Sequence, residues 1–296
     1  MLNPHLSITK MCRVFEKSKQ AFYKQEKASA KELEEMECKN EILKKVKYIR
    51  KQLPKCGVRK IRYKLACRKM HLGRDALFTL MRENDLLVRR KRKYAITTQS
   101  RHWFKKYPDT FNTIRIEKPE QAFVSDITYV RVKDEFSYLS LVTDAYSKRI
   151  MGNSLSRDLS REGPVTALKE ALQNRMYKHP LLHHSDRGFQ YCSSDYVELL
   201  RQNQADVSMT ETGSPYDNAI AERVNGILKS ELGLDNVFDD HEQAQRAVEL
   251  AIKRYNKLRP HLSCGYLTPN QAHRSKKPLI KLWKKRNKKT ILNLNP

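Results

Sequence analysis

The fold is decided by the stretch FVSDITYVRV at residues 123–132, where the chain changes from helical to strand-forming sequence. Most of its residues are β-branched or aromatic, which is typical of a β-strand. The runs at 138–143 and 149–155 are similar and predict two more strands. A helix over 163–176, a short apolar strand over 181–184 and further helices are predicted after them. Three strands followed by a helix, a strand and more helices indicate an α/β or α+β domain.

The sequence before this domain predicts helices instead. Segments 8–15 and 18–27 have the pattern of two short helices joined by a turn, which suggests a helix-turn-helix. A helical hairpin with no role in DNA binding fits this segment equally well. A hydrophobic stripe over 42–53 predicts another helix, and Pro54 and Gly57 end it.

Two more helices follow and would complete a compact DNA-binding unit, although a structural bundle is the alternative. The first has Val58, Ile61 and Leu65 on one face and basic residues on the others, and the second covers 74–84. A basic linker comes next. The basic side chains of these segments that we expect to contact DNA are Arg59, Lys60, Arg62, Lys64, Arg89 and Arg90.

The net charge of +26 is distributed unevenly along the chain. Residues 1–100 hold 27 Lys and Arg against 10 Asp and Glu, residues 101–273 hold 23 of each kind, and residues 274–296 hold 9 basic residues and no acidic one. Such a field attracts a polyanion before any specific contact forms. The basic ends indicate nucleic-acid binding, and a ribosomal-type structural protein would share them, but the neutral middle requires a separate explanation.

Several classes of protein are disfavoured by the same sequence. No apolar run approaches the roughly 20 residues that span a bilayer, and the polar first ten residues do not resemble a signal peptide. We therefore expect a cytoplasmic, nucleoid-associated protein with no membrane partner. The six cysteines form no C-x-x-C pair and have no zinc-finger spacing to histidine, so neither disulfides nor structural zinc is predicted.

Three acidic residues fall at predicted element ends or exposed faces: Asp126 in the first strand, Asp186 just after the fourth, and Glu222 in a later helix. Carboxylates from separate elements can hold two metal ions about 4 Å apart, and the ions relieve the repulsion between the carboxylates. Taken singly, each is weak support, because an acidic residue at a strand end is more often a cap or an ion-pair partner. Asp144 is interpreted in that way, as a turn or structural residue.

The neighbours of these carboxylates have open roles. Asp217 and Asn218 precede the helix that carries Glu222, and we expect their side chains to accept its free amide hydrogens. Lys229 follows Glu222 by seven residues, so the two share a helix face, although the spacing alone favours a solvated lysine. Arg187 and the two histidines before Asp186 would either meet substrate phosphates or support packing.

The surroundings of the three carboxylates resemble the three blocks of the retroviral-type integrase core. The blocks are FVSDITY at 123–129, HSDRGFQY at 184–191 and SPYDNAIAE at 214–222, and 35 residues separate Asp186 from Glu222. They are most similar to the second-frame product of bacterial insertion sequences of the IS-three family, and the resemblance covers roughly residues 40–275. Phe123 departs from the pattern, since the family commonly has tryptophan there.

The resemblance implies a fold and a domain order. It implies an α/β, ribonuclease H-like catalytic core, with a mixed five-stranded sheet and helices, after an all-helical, helix-turn-helix DNA-binding region. We expect the basic helical region over 1–95, a linker over 96–115, the core with its closing helices over 116–275, and a basic tail over 276–296.

The resemblance also implies an activity, a DDE-type transposase that cleaves and transfers strands at the ends of an insertion sequence. Asp126, Asp186 and Glu222 would bind two Mg²⁺ or Mn²⁺ ions, and Lys229 would then hold a DNA phosphate. The implied partners are double-stranded DNA, as terminal inverted repeats and target, a homo-oligomer on DNA, and an upstream-frame product or fusion. The alternative is a catalytically inactive DNA-binding regulator of transposition, against which the intact triad argues.

Overall fold

A computed structural model describes residues 7–88, 105–211 and 218–280, which divide into two compact units. The first unit contains the chain up to Lys51 together with Gly57–Val88, and the second contains Gln52–Cys56 and the chain from Arg89 onward. Arg89 and Arg90, two of the basic positions predicted to contact DNA, lie outside the described residues, as do Asp217 and most of the basic tail.

The first unit is helical, as predicted. Its elements are α1 (Ile8–Val14), α2 (Lys19–Gln52), α3 (Val58–Ala66) and α4 (Arg74–Glu83). The buried side chains of α2, α3 and α4 come from the predicted stripes: Ile42, Val46 and Ile49 of α2, Ile61 and Leu65 of α3, and Leu77 and Met81 of α4.

The prediction of two short helices at 8–15 and 18–27 was wrong for the second, because residues 19–27 and 42–52 belong to one helix of 34 residues, α2. Residues 19–41 are exposed on all sides, so no hydrophobic stripe marks them. Good helix formers such as Ala, Glu and Lys fill this stretch, and no Gly or Pro interrupts it. A short helix followed by a long one therefore replaces the predicted pair.

The second unit is built on a sheet with helices on both faces. Its elements in chain order are β1 (Ala122–Val132), β2 (Glu135–Asp144), β3 (Ile150–Ser156), α5 (Glu162–Gln173), β4 (Leu181–Ser185), α6 (Ser194–Gln202), β5 (Ala205–Met209), α7 (Ala219–Leu232), β6 (Val237–Phe238), α8 (His241–Leu258), a 3₁₀ turn (Leu262–Cys264) and α9 (Pro269–His273). In the part of the chain that the structure describes, no helix is long and apolar enough to cross a membrane.

The strand order is β3-β2-β1-β4-β5, and the two-residue β6 pairs with the far end of β1. The first three strands are antiparallel neighbours, whereas β4 runs parallel to β1 and β5 runs parallel to β4. The mixed five-stranded sheet of the predicted ribonuclease H-like core is confirmed, with β6 as an addition.

The two faces of β1 are packed by different helices, because successive side chains of a strand point to opposite faces. Phe123 belongs to a core that includes Leu168 of α5 and Tyr196 of α6. Ala122 and Val124 belong to a smaller cluster that includes Ala221 of α7. The second face, covered by α7, carries the candidate site.

Gly152 of β3 allows α5 to lie directly on the sheet. A Cβ atom at this position would collide with the Ala167 carbonyl oxygen and would lie 2.6 Å from the Ala171 nitrogen. Both are backbone atoms of α5, so a side chain could be accommodated only by moving the helix.

Candidate active site

Asp126 and Asp186 lie where β1 and β4 separate. The two strands are parallel, and their last register pair is Val124 with His184. Asp126, within β1, lies two residues beyond Val124, and Asp186, just after β4, lies two residues beyond His184, so the two lie at the same level along the strands. The crevice beyond the carboxyl ends of diverging parallel strands is where ligands bind in open α/β sheets.

Glu222 is carried to this crevice by α7. Its neighbour Ala221 is buried in a cluster with Ala122 and Val124, so the start of the helix packs on the sheet. Glu222 itself is exposed. The charge of Glu222 acts on Asp126, so a carboxylate of a third element lies near this crevice.

The three carboxylates interact electrostatically. Burial raises the pKa of Asp126 to about 7, with a contribution from the negative charge of Asp186 and a smaller one from Glu222. Hydrogen bonds from Asn225 and from the Ile127 amide act in the opposite direction. A half-buried carboxyl beside two others favours its neutral form unless a cation is near.

Three hydrogen bonds orient the carboxylates of the two aspartates. Asp126 accepts a bond of 2.7 Å from Asn225 Nδ2 at Oδ2 and one of 3.0 Å from the Ile127 amide at Oδ1. Asp186 Oδ1 accepts a 3.0 Å bond from the Gly188 amide. A Cβ on Gly188 would lie 3.0 Å from that same Asp186 oxygen, so glycine permits the close approach.

The donor set suits a hard divalent cation, since Mg²⁺ and Mn²⁺ prefer carboxylate oxygens. Within residues 7–88, 105–211 and 218–280, however, no three Asp, Glu, His or Cys side chains are close enough to hold one ion together. Glu222 would have to approach Asp126 and Asp186 to complete a three-carboxylate site.

Lys229 lies near the same cluster. Its side chain is half-buried, with Nζ 4.4 Å from the centroid of the Tyr129 ring. Burial lowers the pKa of Lys229, and the charges of Asp126 and Asp235 oppose that shift. The Lys229 side chain is therefore not simply exposed to solvent, because it contacts the Tyr129 ring and interacts electrostatically with Asp126 and Asp235. A contact with DNA phosphate stays a prediction.

The two histidines before Asp186 support packing. His183 is fully buried, with Nε2 2.8 Å from both Ser125 Oγ and the Tyr196 hydroxyl. Burial lowers its pKa to about 3, so the ring is neutral. His184 is also fully buried; its Nδ1 lies 2.9 Å from Ser208 Oγ. Neither ring is free to meet a substrate phosphate, whereas Arg187 is half-buried beside Asp186.

Asn218 corrects the capping prediction. It is the N-cap residue of α7, but its side chain accepts no amide hydrogen of that helix. Its Nδ2 donates instead to the Ser125 carbonyl oxygen at 2.8 Å. The physical reason is that β4 stops pairing with β1 at Val124, which leaves the next carbonyl of β1 without a strand partner.

The basic residues predicted to contact DNA in the first unit lie on α3. Arg59 and Arg62 are exposed, whereas Lys60 and Lys64 are half-buried beside the inward-facing Ile61 and Leu65. The helix therefore presents a basic outer side, as its sequence predicts. The structure describes no nucleic acid, so DNA binding at α3 stays a prediction.

Two features of the second unit were not identified from the sequence. The first is Asn225, whose signal is its place three residues after Glu222 on the same helix face. The second is a buried network in which His273 of α9 lies 2.9 Å from Glu120 Oε1 and 3.3 Å from Asp144 Oδ2. Asp144 also accepts bonds of 2.9 Å from the amides of Glu120 and Ser147, which confirms its structural role.

Comparison with known proteins identifies a known domain in the part of the chain that contains the three carboxylates. Residues 116–215 match the family model described as "Integrase core domain", and residues 203–269 match a second model with that description. The chain is 33% identical over 263 residues to "Insertion element IS600 uncharacterized 31 kDa protein" of Shigella sonnei, covering 88% of this chain and 96% of that protein.

A second relative is "Transposase InsF for insertion sequence IS3" of Escherichia coli, which is 36% identical over 154 residues. That match covers 52% of this chain and 54% of InsF, so it spans about half the length of that relative. Among solved structures, the HTLV-2 integrase catalytic core domain in complex with magnesium matches with 21% identity and a TM-score of 0.43, over 53% of this chain and 97% of that one.

Proposed function

The chain belongs to the insertion-sequence transposases that carry an integrase core domain, and we propose that Asp126, Asp186 and Glu222 form its catalytic centre. It is a DNA transposase of the polynucleotidyl-transferase type. Its substrates are the ends of an insertion sequence and a target DNA in the bacterial nucleoid, on which several copies of the chain assemble.

One observation carries the proposal: the charges of Asp186 and Glu222 act on the half-buried Asp126 at the point where β1 and β4 part. Carboxylates placed together at a cost in repulsion are characteristic of a cation site. A catalytically inactive regulator would gain nothing from that repulsion. The alternative function is therefore not favoured.

The three carboxylates would hold two Mg²⁺ or Mn²⁺ ions, which in phosphoryl transfer activate the attacking oxygen and stabilise the leaving one. The chain itself orients the ligands. Asn225 and the Ile127 amide fix Asp126, and the Gly188 amide fixes Asp186. The attacking group is water or a 3′-hydroxyl, so no side chain of the site forms a covalent bond to DNA.

The cations around the centre would bind the substrate backbone. Lys229 sits beside the carboxylates on the ring of Tyr129 and would hold a phosphate of the element's end. Arg187 follows Asp186 directly and would contact the same strand. Arg59, Lys60, Arg62 and Lys64 of α3, with Arg89 and Arg90, would supply contacts to the phosphates farther along the duplex.

The test is to replace each carboxylate of the triad by its amide. Asp126→Asn, Asp186→Asn and Glu222→Gln should each lower Mg²⁺-dependent strand joining at least a thousandfold, while the affinity for end DNA changes less than threefold. Asp206→Asn, at an exposed carboxylate on β5, serves as the matched control and should keep full activity. Full metal-dependent joining by any one of the triad variants would contradict the assignment.

A further inference from the structure

Helix α7 lies along an open edge of β1. Strand β4 pairs with β1 only from Ala122 to Val124, and β6 pairs with it only at Arg131 and Val132. Between these pairings, the described residues place no strand against that edge of β1. An open edge presents backbone groups that need partners, and the N-cap residue of α7 supplies one to the Ser125 carbonyl here.

Two asparagines make the contacts. Asn218 Nδ2 donates to the Ser125 carbonyl oxygen at 2.8 Å, and Asn225 Nδ2 donates to Asp126 Oδ2 at 2.7 Å. The two donors are seven residues apart, which is two helical turns, and Glu222 lies between them on the same face. The acceptors belong to consecutive residues of β1.

Both side chains are buried, with 8% of Asn218 and 6% of Asn225 exposed. In each amide the Oδ1 atom has no hydrogen-bond partner among the described residues. The orientation is nevertheless set by the partner, since turning the amide of Asn225 would point its oxygen at a carboxylate oxygen. Each asparagine therefore serves β1 through its donor alone, and a buried acceptor is left unsatisfied.

The hydrophobic contacts of α7 do not fix its position so closely. Apolar burial has no direction, so the packing of Ala221 and Ile220 would tolerate small rotations or shifts of the helix. A hydrogen bond weakens steeply when its angle or length changes. Two such bonds, one on either side of Glu222, set both the height and the rotation of the helix on the strand.

We propose that Asn218 and Asn225 are positioning residues that hold α7 on β1 so that Glu222 meets the two aspartates when metal binds. The inference rests on the metal site proposed above. Each asparagine acts through another residue, Asn218 through the backbone of Ser125 and Asn225 through the carboxylate of Asp126.

The test measures metal affinity in the full-length chain without DNA. The rise in Tm and the heat of binding are recorded against MgCl₂ and MnCl₂ for Asn218→Ala and Asn225→Ala. Asn256→Ala is the matched control, because Asn256 of α8 also joins a helix to a strand, through bonds of 2.9 and 3.0 Å with the Ile150 backbone.

We expect Asn218→Ala and Asn225→Ala each to raise the half-saturating metal concentration about tenfold, which corresponds to about 1.4 kcal/mol. Asn256→Ala should lower the metal-free Tm and leave half-saturation unchanged. The proposal is overturned if the first two variants shift half-saturation no more than the control does. Should Asn225→Ala not fold, Asn225→Gln displaces the donor by one methylene group, and wild-type metal affinity in that variant would overturn the proposal equally.

Asp126→Asn separates this inference from the proposed function. If Asp126→Asn loses the metal-induced rise in Tm while the asparagine variants keep wild-type affinity, the metal site stands and the positioning role fails. If Asp126→Asn responds to metal as the wild type does, the metal site itself fails.

Discussion

At the scale of single residues, Asp126 is placed where its charge costs stability in the absence of a cation. Burial and the charge of Asp186 raise its pKa, so the Asp126 carboxyl ionises only near pH 7 in the folded chain. The same carboxyl ionises at about pH 4 in the unfolded chain. Between those values the unfolded state loses the proton first, and stability falls as pH rises.

Asp126→Asn should therefore raise the Tm of the metal-free protein at pH 8, by an amount equivalent to about 1–2 kcal/mol, and should have little effect near pH 4. Thermal melts of both proteins in chelator across this range measure the effect. A variant that melts well below the wild type at pH 8 would show that the carboxylate stabilises the fold.

Lys229 allows a second residue-scale prediction. Its contacts with Tyr129 and the acidic cluster are each worth about 1 kcal/mol, so Lys229→Ala should lower Tm by only a few degrees. The loss of a cation beside the reacting phosphates should lower strand joining at least tenfold.

Lys253→Ala, at an exposed lysine of α8, is the control for removing one positive charge and should leave joining unchanged. Normal joining by Lys229→Ala, together with a large drop in Tm, would assign this lysine a structural role instead.

The three carboxylates could be identified from the sequence, whereas the roles of the two asparagines could not. Asp126, Asp186 and Glu222 were singled out because each stands in a short block whose residue types and spacing are distinctive. Asn218 and Asn225 were misread or missed because their roles depend on where β4 stops pairing with β1, and this depends on strands distant in sequence.

At the scale of elements, buried hydrogen bonds from His273 to Asp144 and Glu120 hold α9 against the sheet. Burial alone would lower the pKa of His273, but hydrogen bonds to Asp144 and Glu120 outweigh it and raise the pKa. Burial would likewise raise the pKa values of both carboxyls, and their bonds to His273 and to backbone amides lower them. Below the raised pKa of His273 and above the lowered pKa values of the carboxyls, a cationic ring lies between two anions.

The network gives stability a window in pH. The raised pKa of His273 contributes stability that is full below about pH 6.5 and is lost as pH rises through the folded value. The lowered pKa values of Glu120 and Asp144 contribute stability that is full above about pH 4.5 and is lost as pH falls through the folded values.

His273→Gln should thus cost about 3 kcal/mol at pH 5–6, because one partner of a buried ion pair is removed, and less at either side of that window. Urea unfolding at several pH values would measure the difference. A gap between variant and wild type that widens above pH 8 would contradict the charged state assigned to the ring.

Element boundaries were predicted best where burial leaves a pattern. The core-facing residues of α3 and α4 repeat with the period of a helix, and α4 begins and ends almost where it was predicted. The bounds of β1 were also predicted closely, from its β-branched and aromatic residues. Strand β5 was missed because its five residues include only one β-branched residue and no aromatic one. It is held by parallel pairing with β4 and by a bond from the Met209 amide to the Pro108 carbonyl oxygen.

At the scale of the whole molecule, charge should govern affinity for DNA. The basic excess lies in residues 1–100 and 274–296. Binding that neutralises phosphates releases counterions, so the affinity for any duplex should fall steeply with salt, with a log–log slope steeper than about −3. Truncation after residue 275, beyond the end of α9, should make the slope shallower.

Fluorescence anisotropy would measure both slopes, with duplexes of the element's end and of unrelated sequence, at salt concentrations from about 50 to about 300 mM. Counterion release dominates the change in affinity over this range. A nearly flat salt dependence would contradict the expectation, and so would unchanged binding when both basic segments are deleted.

The continuous helix α2 has a geometric consequence for variants of different length. Its 34 residues rise about 1.5 Å each, so they span roughly 51 Å. Each residue is rotated by about 100° around the helix axis relative to the one before it. One residue inserted into the exposed stretch 19–41 would swing α1 about a quarter turn around that axis, whereas seven would advance it by about 10 Å and almost restore its phase. Length variation in this stretch is therefore tolerated in steps close to seven wherever the direction in which α1 faces matters.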